Sequence, residues 1–232
     1  MAILRQGQKM THLRGKFIVF DGPEGCGKTT QTHMLRDHLE QQGVPVQIFR
    51  DPGTTHVGEQ DRHILLDPKN DDMAMRCEML LYMASRAQMV QELILPALKK
   101  NDVVLCDRFV SSTLAYQLGG DGLTAEEIKT VAQVAIHGRW PDRTIILDIP
   151  LEKSSKRVIP KFMLPFPENV QSAIAKEMTH DRIEMRPAEY HRRVRQNYLN
   201  QAAADPNQYR IINAERPADV VFQDVLKALQ SI

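Results

Sequence analysis

The sequence predicts an α/β protein with a five-stranded parallel sheet and helices on both faces. Short apolar runs alternate with stretches of helical periodicity along the 232 residues, which is the pattern of a parallel sheet. Runs such as 16–20 and 102–106 contain few polar residues, as strands buried on both faces do. Charged or turn-forming clusters follow the runs, where a parallel sheet gathers its binding groups.

Each element is predicted from its own pattern. Strands are expected at 16–20, 44–49, 102–106, 143–149 and 209–213. Helices are expected at 31–42, 73–100, 124–137, 181–204 and 218–229. The helix at 124 has the strongest start signal, because Thr124 followed by Glu127 forms a capping box.

Composition excludes several classes of protein. Hydrophobic residues make up 42% and charged residues 25%, as in ordinary globular proteins. The net charge of +1 gives no reason to expect nucleic acid or an anionic membrane as partner. No apolar stretch approaches the roughly 20 residues that span a bilayer, and residues 1–14 do not resemble a secretory signal.

The sequence also predicts the domain organisation and the location of the protein. We expect residues 1–15 to be a loose extension and residues 16–232 to form a single domain. The Pro-interrupted stretch 158–169 lies within a predicted lid at about 152–181. Three widely spaced cysteines, Cys26, Cys77 and Cys106, suggest no disulfide framework and favour a cytoplasmic location.

A phosphate-binding loop directly follows the first predicted strand. Residues 22–29 read GPEGCGKT and match G-x-x-x-x-G-K-[ST]. Backbone N–H groups of such a loop surround phosphates, Lys28 reaches the β- and γ-phosphates, and the Thr29 hydroxyl binds Mg²⁺. The motif predicts an ATP site formed by Gly22, Glu24, Gly25, Cys26, Gly27, Lys28, Thr29 and Thr30.

Charged residues after the other strands suggest a second phosphate. Asp107 follows the third strand and is predicted to bind Mg²⁺ with Thr29. Arg108 can bind a phosphate in a bidentate manner. Arg62 and Arg86 are further cations near strand ends, more than ATP alone requires. We therefore favour a kinase with a phosphorylated acceptor over a simple hydrolase.

Several motifs together carry a family resemblance. They are DRFVSSTLAYQ at 107–117, DPGTT at 51–55, LYMASR at 81–86, PD at 141–142 before LD at 147–148, and DRIE at 181–184. From about residue 16 onward the chain resembles the thymidylate kinases. The resemblance implies a three-layer P-loop fold, transfer of a phosphoryl group from ATP to dTMP, Mg²⁺ as cofactor, and a homodimer.

The resemblance also implies roles for individual residues. The acceptor site would comprise Asp51, Arg62, Tyr82, Arg86, Arg108, Ser112, Thr113 and Tyr116. Arg86 and Arg108 would hold the dTMP phosphate. Tyr82 would stack on thymine, and Tyr116 would pack against the deoxyribose.

The catalytic cation of the lid is the point where the chain departs from the family. Some members carry an arginine in the phosphate loop, where this chain has Gly25 and Cys26. The candidates for its replacement are Arg157, Lys161 and Arg182, in that order. The predicted catalytic set is therefore Lys28, Asp107, Arg108 and Arg157. A basic group on the last long helix is expected to be a solvated face: Arg192, Arg193 and Arg195.

Alternative functions remain open at this point. Another nucleoside monophosphate kinase or a deoxynucleoside kinase would share the phosphate loop and the Asp-Arg pair. A switch module or DNA-linked ATPase would share only the loop. The N-K-x-D signature of switch GTPases is missing from the sequence, and the net charge of +1 does not favour DNA.

Overall fold

A computed structural model describes residues 9–157 and 182–232. The strands are β1 Phe17–Asp21, β2 Val46–Arg50, β3 Val103–Asp107, β4 Arg143–Asp148 and β5 Tyr209–Asn213. The helices are α1 Lys28–Glu40, α2 His56–Leu66, α3 Met75–Met89, α4 Leu95–Lys99, α5 Val110–Tyr116, α6 Ala125–Ala135, α7 Leu151–Arg157, α8 Ala188–Ala204 and α9 Ala218–Ala228.

The predicted parallel sheet is confirmed. Within the described residues it has the order β2-β3-β1-β4-β5, and every neighbouring pair is parallel. The chain runs from β1 towards β2 and β3 on one side, then crosses to β4 and β5 on the other. Ligands bind beyond the carboxyl ends of the strands where the order reverses, and here that place is the end of β1.

Packing on both faces of the sheet produces three layers. Phe17 and Val19 of β1 enter a core with α3 and α6, whereas Ile18 and Phe20 enter a core with α1 and α9. Successive side chains of a strand point to opposite faces, so a strand covered on both sides must be apolar throughout. This is why β1 shows no polar alternation.

Residues 9–15 pack against the domain, which corrects the prediction of a loose extension for this part of residues 1–15. Residues 1–8 lie outside the described residues. A short 3₁₀ turn, Thr11–Leu13, buries Leu13 completely, and Met10 is also buried against the α1 and α9 core. The Met10 N–H donates to Gln42 Oε1 at 2.7 Å. Burial of two apolar side chains and backbone hydrogen bonding hold residues 9–15 in place.

The helix predicted at 73–100 is confirmed in position but contains an irregular turn. A π-helical turn, Val90–Ile94, joins α3 to α4. Pro96 lies in α4 and has no N–H to continue the α-helical bonding, so a wider turn before it accommodates the proline. No helix in the described part of the chain has the length and apolar composition needed to cross a membrane.

Other helix ends were predicted with varying success. Both hydrogen bonds of the α6 capping box are present between Thr124 and Glu127. Helix α8 begins after Pro187, several residues later than expected, since a proline disfavours helical conformation in the residue before it. Helices α2, α5 and α7 were not predicted. The irregular stretch 158–169 and Lys161 lie outside the described residues.

Candidate active site

The phosphate loop connects β1 to α1 in a conformation that needs glycine. Gly22 has φ of +136°, and a Cβ atom there would come within 2.5 Å of the Leu147 carbonyl oxygen. Gly27 has φ of +97° and precedes the first residue of α1. Loops of this type direct backbone N–H groups and the positive helix end towards an anion.

Lys28 spans the inside of this loop. Its Nζ donates to the carbonyl oxygens of Gly22 at 3.3 Å and Pro23 at 3.1 Å, and lies 3.8 Å from Cys26 Sγ. Burial and Arg108 act to lower the pKa of Lys28, but negative neighbours including Glu24 outweigh them and the pKa is raised. The ammonium group is therefore charged near neutral pH.

Thr29 and Asp107 meet across the carboxyl end of the sheet. Thr29 Oγ1 donates to Asp107 Oδ2 at 3.1 Å. Within residues 9–157 and 182–232, no group of three or more His, Cys, Asp and Glu side chains could hold a metal ion. Mg²⁺ uses few protein oxygens and completes its octahedron with water and phosphate. The predicted pair therefore fits Mg²⁺, while a metal that needs several side-chain ligands would not fit.

Arg108 lies at the centre of a hydrogen-bond cluster beside the loop. Its Nη1 donates to Gly22 O at 3.2 Å, Ser112 Oγ at 3.2 Å and Tyr198 OH at 3.4 Å. Its guanidinium also stacks 5.3 Å from the centre of the Tyr116 ring. The side chain is 18% exposed, so part of it faces solvent.

Asp21 and Tyr198 belong to the same cluster, although sequence analysis gave neither a role. Asp21 is fully buried and accepts hydrogen bonds from Ser111 Oγ at 2.5 Å, Ser112 Oγ at 2.8 Å and Tyr198 OH at 2.6 Å. Asp21 could have been noticed because it ends an apolar strand beside the loop. Tyr198 comes from α8, and no local pattern indicated that it reaches β1.

Glu24 is the negative partner of the two central cations. Arg108 Nη2 donates to Glu24 Oε2 at 2.9 Å. Lys28 and then Arg108 lower the pKa of Glu24 from 4.5 to about 2, against the effect of burial. Glu24 is therefore ionised, and its negative charge partly offsets the positive charges of Lys28 and Arg108.

Arg86 is bound very differently. It forms an ion pair with Asp51 in which both side chains are 1% exposed, with Arg86 Nε donating to Asp51 Oδ2 at 2.7 Å and Nη2 donating to the same oxygen. Nη2 also donates to Phe109 O at 3.2 Å, and Nη1 donates to Thr113 Oγ1 at 3.4 Å and Met83 Sδ at 3.2 Å. All five N–H groups of a guanidinium thus have protein partners.

One cavity is lined by all the predicted acceptor residues. They are Asp51, Arg62, Tyr82, Arg86, Arg108, Ser112, Thr113 and Tyr116. The sequence patterns gave no role to six further lining residues: Pro52, Leu66, Gln117, Ile183, Glu184 and His191. Four of them lie in the quoted motifs, whereas Leu66 and His191 had no distinguishing pattern.

A second, wider cavity lies over the phosphate loop. It is lined by the predicted ATP residues other than Gly22, and by Asp107 and Arg157. The loop after β5 supplies its far side through Ala214, Arg216 and Pro217. The two cavities share Glu24, Asp51, Arg62 and Arg108, so they meet beside the phosphate loop.

The candidates for the lid cation are separated by the structure. Arg157 lines the wide cavity and donates to Ala214 O at 2.8 Å and Glu215 O at 3.2 Å. Arg182 is buried, and its Nη2 bonds to Glu78 Oε2 at 2.5 Å, an oxygen that Arg186 also contacts. Arg182 does not line the wide cavity over the phosphate loop, so the structure does not support it as the lid cation.

The solvated-face prediction was also wrong for one arginine of α8. Arg195 donates to both carboxylate oxygens of Asp148, from Nε at 2.7 Å and from Nη2 at 2.8 Å. Asp148 ends β4, so this bidentate pair attaches α8 to the carboxyl edge of the sheet. A helix pattern shows which residues share a face, but not which carboxylate meets that face.

Comparison with known proteins identifies the family. The thymidylate kinase family model matches residues 20–225. A thymidylate kinase of Pelotomaculum thermopropionicum is 44% identical over 220 residues, covering 95% of both chains. One of Caldanaerobacter subterraneus subsp. tengcongensis is 39% identical over 94% of this chain and 96% of the relative. The crystal structure of thymidylate kinase from Ehrlichia chaffeensis has 28% identity and a TM-score of 0.68, covering 93% of this chain and 98% of that chain. The chain therefore belongs to the thymidylate kinase family.

Proposed function

We propose that this protein transfers the γ-phosphoryl group of ATP to dTMP, forming ADP and dTDP. One observation carries the proposal beyond family membership: a phosphate-loop cavity and a second cavity meet and share Arg108, Arg62, Glu24 and Asp51. A kinase needs two anionic ligands brought together at one point. A simple hydrolase needs only the cavity over the phosphate loop.

The donor side is formed by the phosphate loop and its surroundings. The loop N–H groups and Lys28 would hold the β- and γ-phosphates, and Arg157 would add a cation from the other side of the cavity. Mg²⁺ held by Thr29 and Asp107 would neutralise charge on the phosphates and orient them. Lys28 would exchange its carbonyl partners for phosphate oxygens.

The acceptor side is formed by α3 and by the segment from β3 through α5. Tyr82 lines this cavity and offers an aromatic face on which thymine can stack. Arg108 would bind the acceptor phosphate, with Arg62 nearby. Tyr116 would pack against the sugar beneath the Arg108 guanidinium.

The reaction itself needs positioning and charge neutralisation. A phosphate monoester is already anionic near neutral pH, so its oxygen can attack the γ-phosphorus without a strong general base. Holding the two phosphates in line supplies the main advantage, and Lys28 and Arg108 stabilise the charge as it redistributes.

A panel of acceptors tests the proposal. ADP release is measured with ATP and dTMP, dUMP, dCMP, AMP or GMP, and dTMP should give the highest kcat/KM. Lys28→Ala should lower this value about a hundredfold or more, whereas Lys99→Ala, an exposed lysine of α4, should not. ADP release that needs no acceptor would indicate an ATPase, and preference for another monophosphate would reassign the acceptor.

We also propose that the protein forms a homodimer. Val57 and Ile64, two turns apart on one face of α2, and Leu80 of α3 are exposed apolar side chains, and burial of such surface favours association. Sedimentation velocity should show twice the chain mass of 26.5 kDa, and Leu80→Glu should shift the protein towards monomer. A wild-type monomer at micromolar concentration would contradict this proposal.

A further inference from the structure

Arg108 is held in a conformation that its backbone alone would not favour. Its φ is +70°, a region that side-chain-bearing residues seldom occupy. Such conformations persist where the surrounding structure over-determines them, and they concentrate at functional sites. The groups that restrain the Arg108 side chain therefore decide where its charge lies.

Tyr198 is the most remote of these groups along the chain. It is 1% exposed, and its hydroxyl contacts Asp21 Oδ1 at 2.6 Å, Ser112 Oγ at 3.0 Å and Arg108 Nη1 at 3.4 Å. The phenol hydroxyl has one hydrogen to donate. The short contact indicates that the hydroxyl donates it to the Asp21 carboxylate. The lone pairs of the oxygen then accept from Arg108.

These hydrogen bonds run from Arg108 to Tyr198 and from Tyr198 to Asp21. An O–H group that donates to a carboxylate becomes a better acceptor, because hydrogen bonds in a chain polarise one another. Asp21 is fully buried and also 3.6 Å from Arg108 Nη1. Carboxylate and phenol oxygen together thus attract the same guanidinium nitrogen.

Helix α8 is itself firmly placed. Arg195, one turn before Tyr198, binds both oxygens of Asp148 at the end of β4. Asn197 Nδ2 donates to Ala115 O at 3.0 Å. The Tyr198 hydroxyl is therefore presented from a helix that is bonded to the sheet and to α5.

We propose that Tyr198 is a positioning residue for phosphoryl transfer, which with Asp21 holds the Arg108 guanidinium between the donor and acceptor cavities. This inference rests on the proposed function, in which Arg108 neutralises charge on the transferred group. Tyr198 acts through Arg108 and does not touch the nucleotides.

A double-mutant cycle tests this dependence. Tyr198→Phe removes one oxygen atom and should lower kcat/KM for dTMP about tenfold, the size expected for a hydrogen bond to a charged group. In the Arg108→Ala background the same change should have an effect of less than about twofold, because residues that act as a unit are not additive. Equal effects in both backgrounds, or no effect on wild type, would overturn the proposal.

Tyr190→Phe is the matched control from the same helix. Its hydroxyl donates to Tyr116 O at 2.8 Å and contacts Arg186, and its hydrogen bonds within the described residues do not include Arg108. The factor by which Tyr190→Phe changes kcat/KM for dTMP should be the same in the wild-type and Arg108→Ala backgrounds. A factor that also vanished in the Arg108→Ala background would show that any α8 hydroxyl gives this result, and would overturn the specific role of Tyr198.

A readout without turnover separates this inference from the proposed function. The crystal structure of Tyr198→Phe should show the Arg108 guanidinium displaced or in a second rotamer, while Arg86 is unchanged. Arg108 in its original position would overturn the inference whatever the activity. An inactive wild-type protein would refute dTMP phosphorylation, yet this structural comparison would still decide whether Tyr198 positions Arg108.

Discussion

Arg86 and Arg108 line the same cavity, and the family resemblance assigns both to the acceptor phosphate, yet the structure uses them in opposite ways. Arg86 is 1% exposed and its five N–H groups bond to protein atoms. Arg108 is 18% exposed, and its side-chain bonds among the described residues are from Nη1 and Nη2. The N–H donors of Arg86 all bond to protein atoms, whereas the partly exposed guanidinium of Arg108 can still bind a ligand.

What an arginine contributes therefore depends on its exposure and on how many of its N–H donors already have protein partners. A guanidinium whose donors are paired supplies rigidity and a fixed field, and its removal leaves a buried carboxylate without compensation. A partly open guanidinium can exchange weak partners for phosphate oxygens. We therefore no longer assign a direct phosphate contact to Arg86, and we keep that role for Arg108.

The largest effect is expected from Arg86→Ala. Removing one partner of a buried ion pair costs about 3–5 kcal/mol, so urea denaturation should show a loss of that size in the free energy of unfolding. Arg36→Ala is the matched control, because Arg36 pairs with Asp37 at the exposed surface and such pairs contribute about 0–1 kcal/mol. If both variants changed the free energy of unfolding by a similar, small amount, the structural role assigned to Arg86 would be wrong.

Arg108→Ala should change catalysis where Arg86→Ala changes stability. We expect kcat/KM for dTMP to fall by at least about a hundredfold, or about 3 kcal/mol of transition-state stabilisation. The midpoint of urea denaturation should move less than it does for Arg86→Ala. Turnover near that of wild type would remove Arg108 from the mechanism.

Arg157 extends the comparison to the donor cavity. Two of its N–H groups bond to backbone carbonyls after β5 and the residue is exposed, so it is less committed to the fold than either Arg86 or Arg108. Arg157→Ala should lower kcat about tenfold and raise KM for dTMP less than that. If steady-state kinetics show an unchanged kcat, the catalytic role belongs to another cation.

The smallest effect concerns the pKa of Glu24, which reports the charge beside Arg108. This pKa is lowered from 4.5 to about 2, so the native state binds fewer protons than the unfolded state between these values, and stability is lost as pH falls through about 2. In Lys28→Ala, ¹³C NMR of the Glu24 carboxyl should show a higher pKa. Arg86→Lys should leave it unmoved, and an equal shift in both would show that Arg86 shares this charge cluster.

Much of the molecule could be predicted from local patterns. The strands, the capping box of Thr124 and the phosphate loop were identified because each depends on spacing over a few residues or on a contiguous motif, and the family resemblance indicated the residues that line the acceptor cavity. The ends of parallel strands meet at one edge, which is why Thr29 and Asp107 could be paired before their 3.1 Å contact was known.

The errors share a different cause. The segment containing Leu13 was predicted to be loose, Arg195 to be solvated and Arg182 to be a candidate lid cation. Each of these side chains is instead held by residues distant in sequence. Tyr198 and Asp21, 177 positions apart, carry no pattern that links them. Propensity and periodicity describe a segment and its faces, whereas pairing depends on which faces the tertiary fold brings together.

From the sequence alone, this chain was predicted to bind a nucleoside triphosphate at the edge of a parallel sheet and to hold a second phosphate nearby. Those properties depend on residue types at short, fixed spacings, which backbone geometry turns directly into structure. The packed fold was needed to show that Arg86 is paired with Asp51 while Arg108 stays partly exposed between the two cavities. That division depends on burial and on the count of available hydrogen-bond partners, and both exist only once distant elements have packed together.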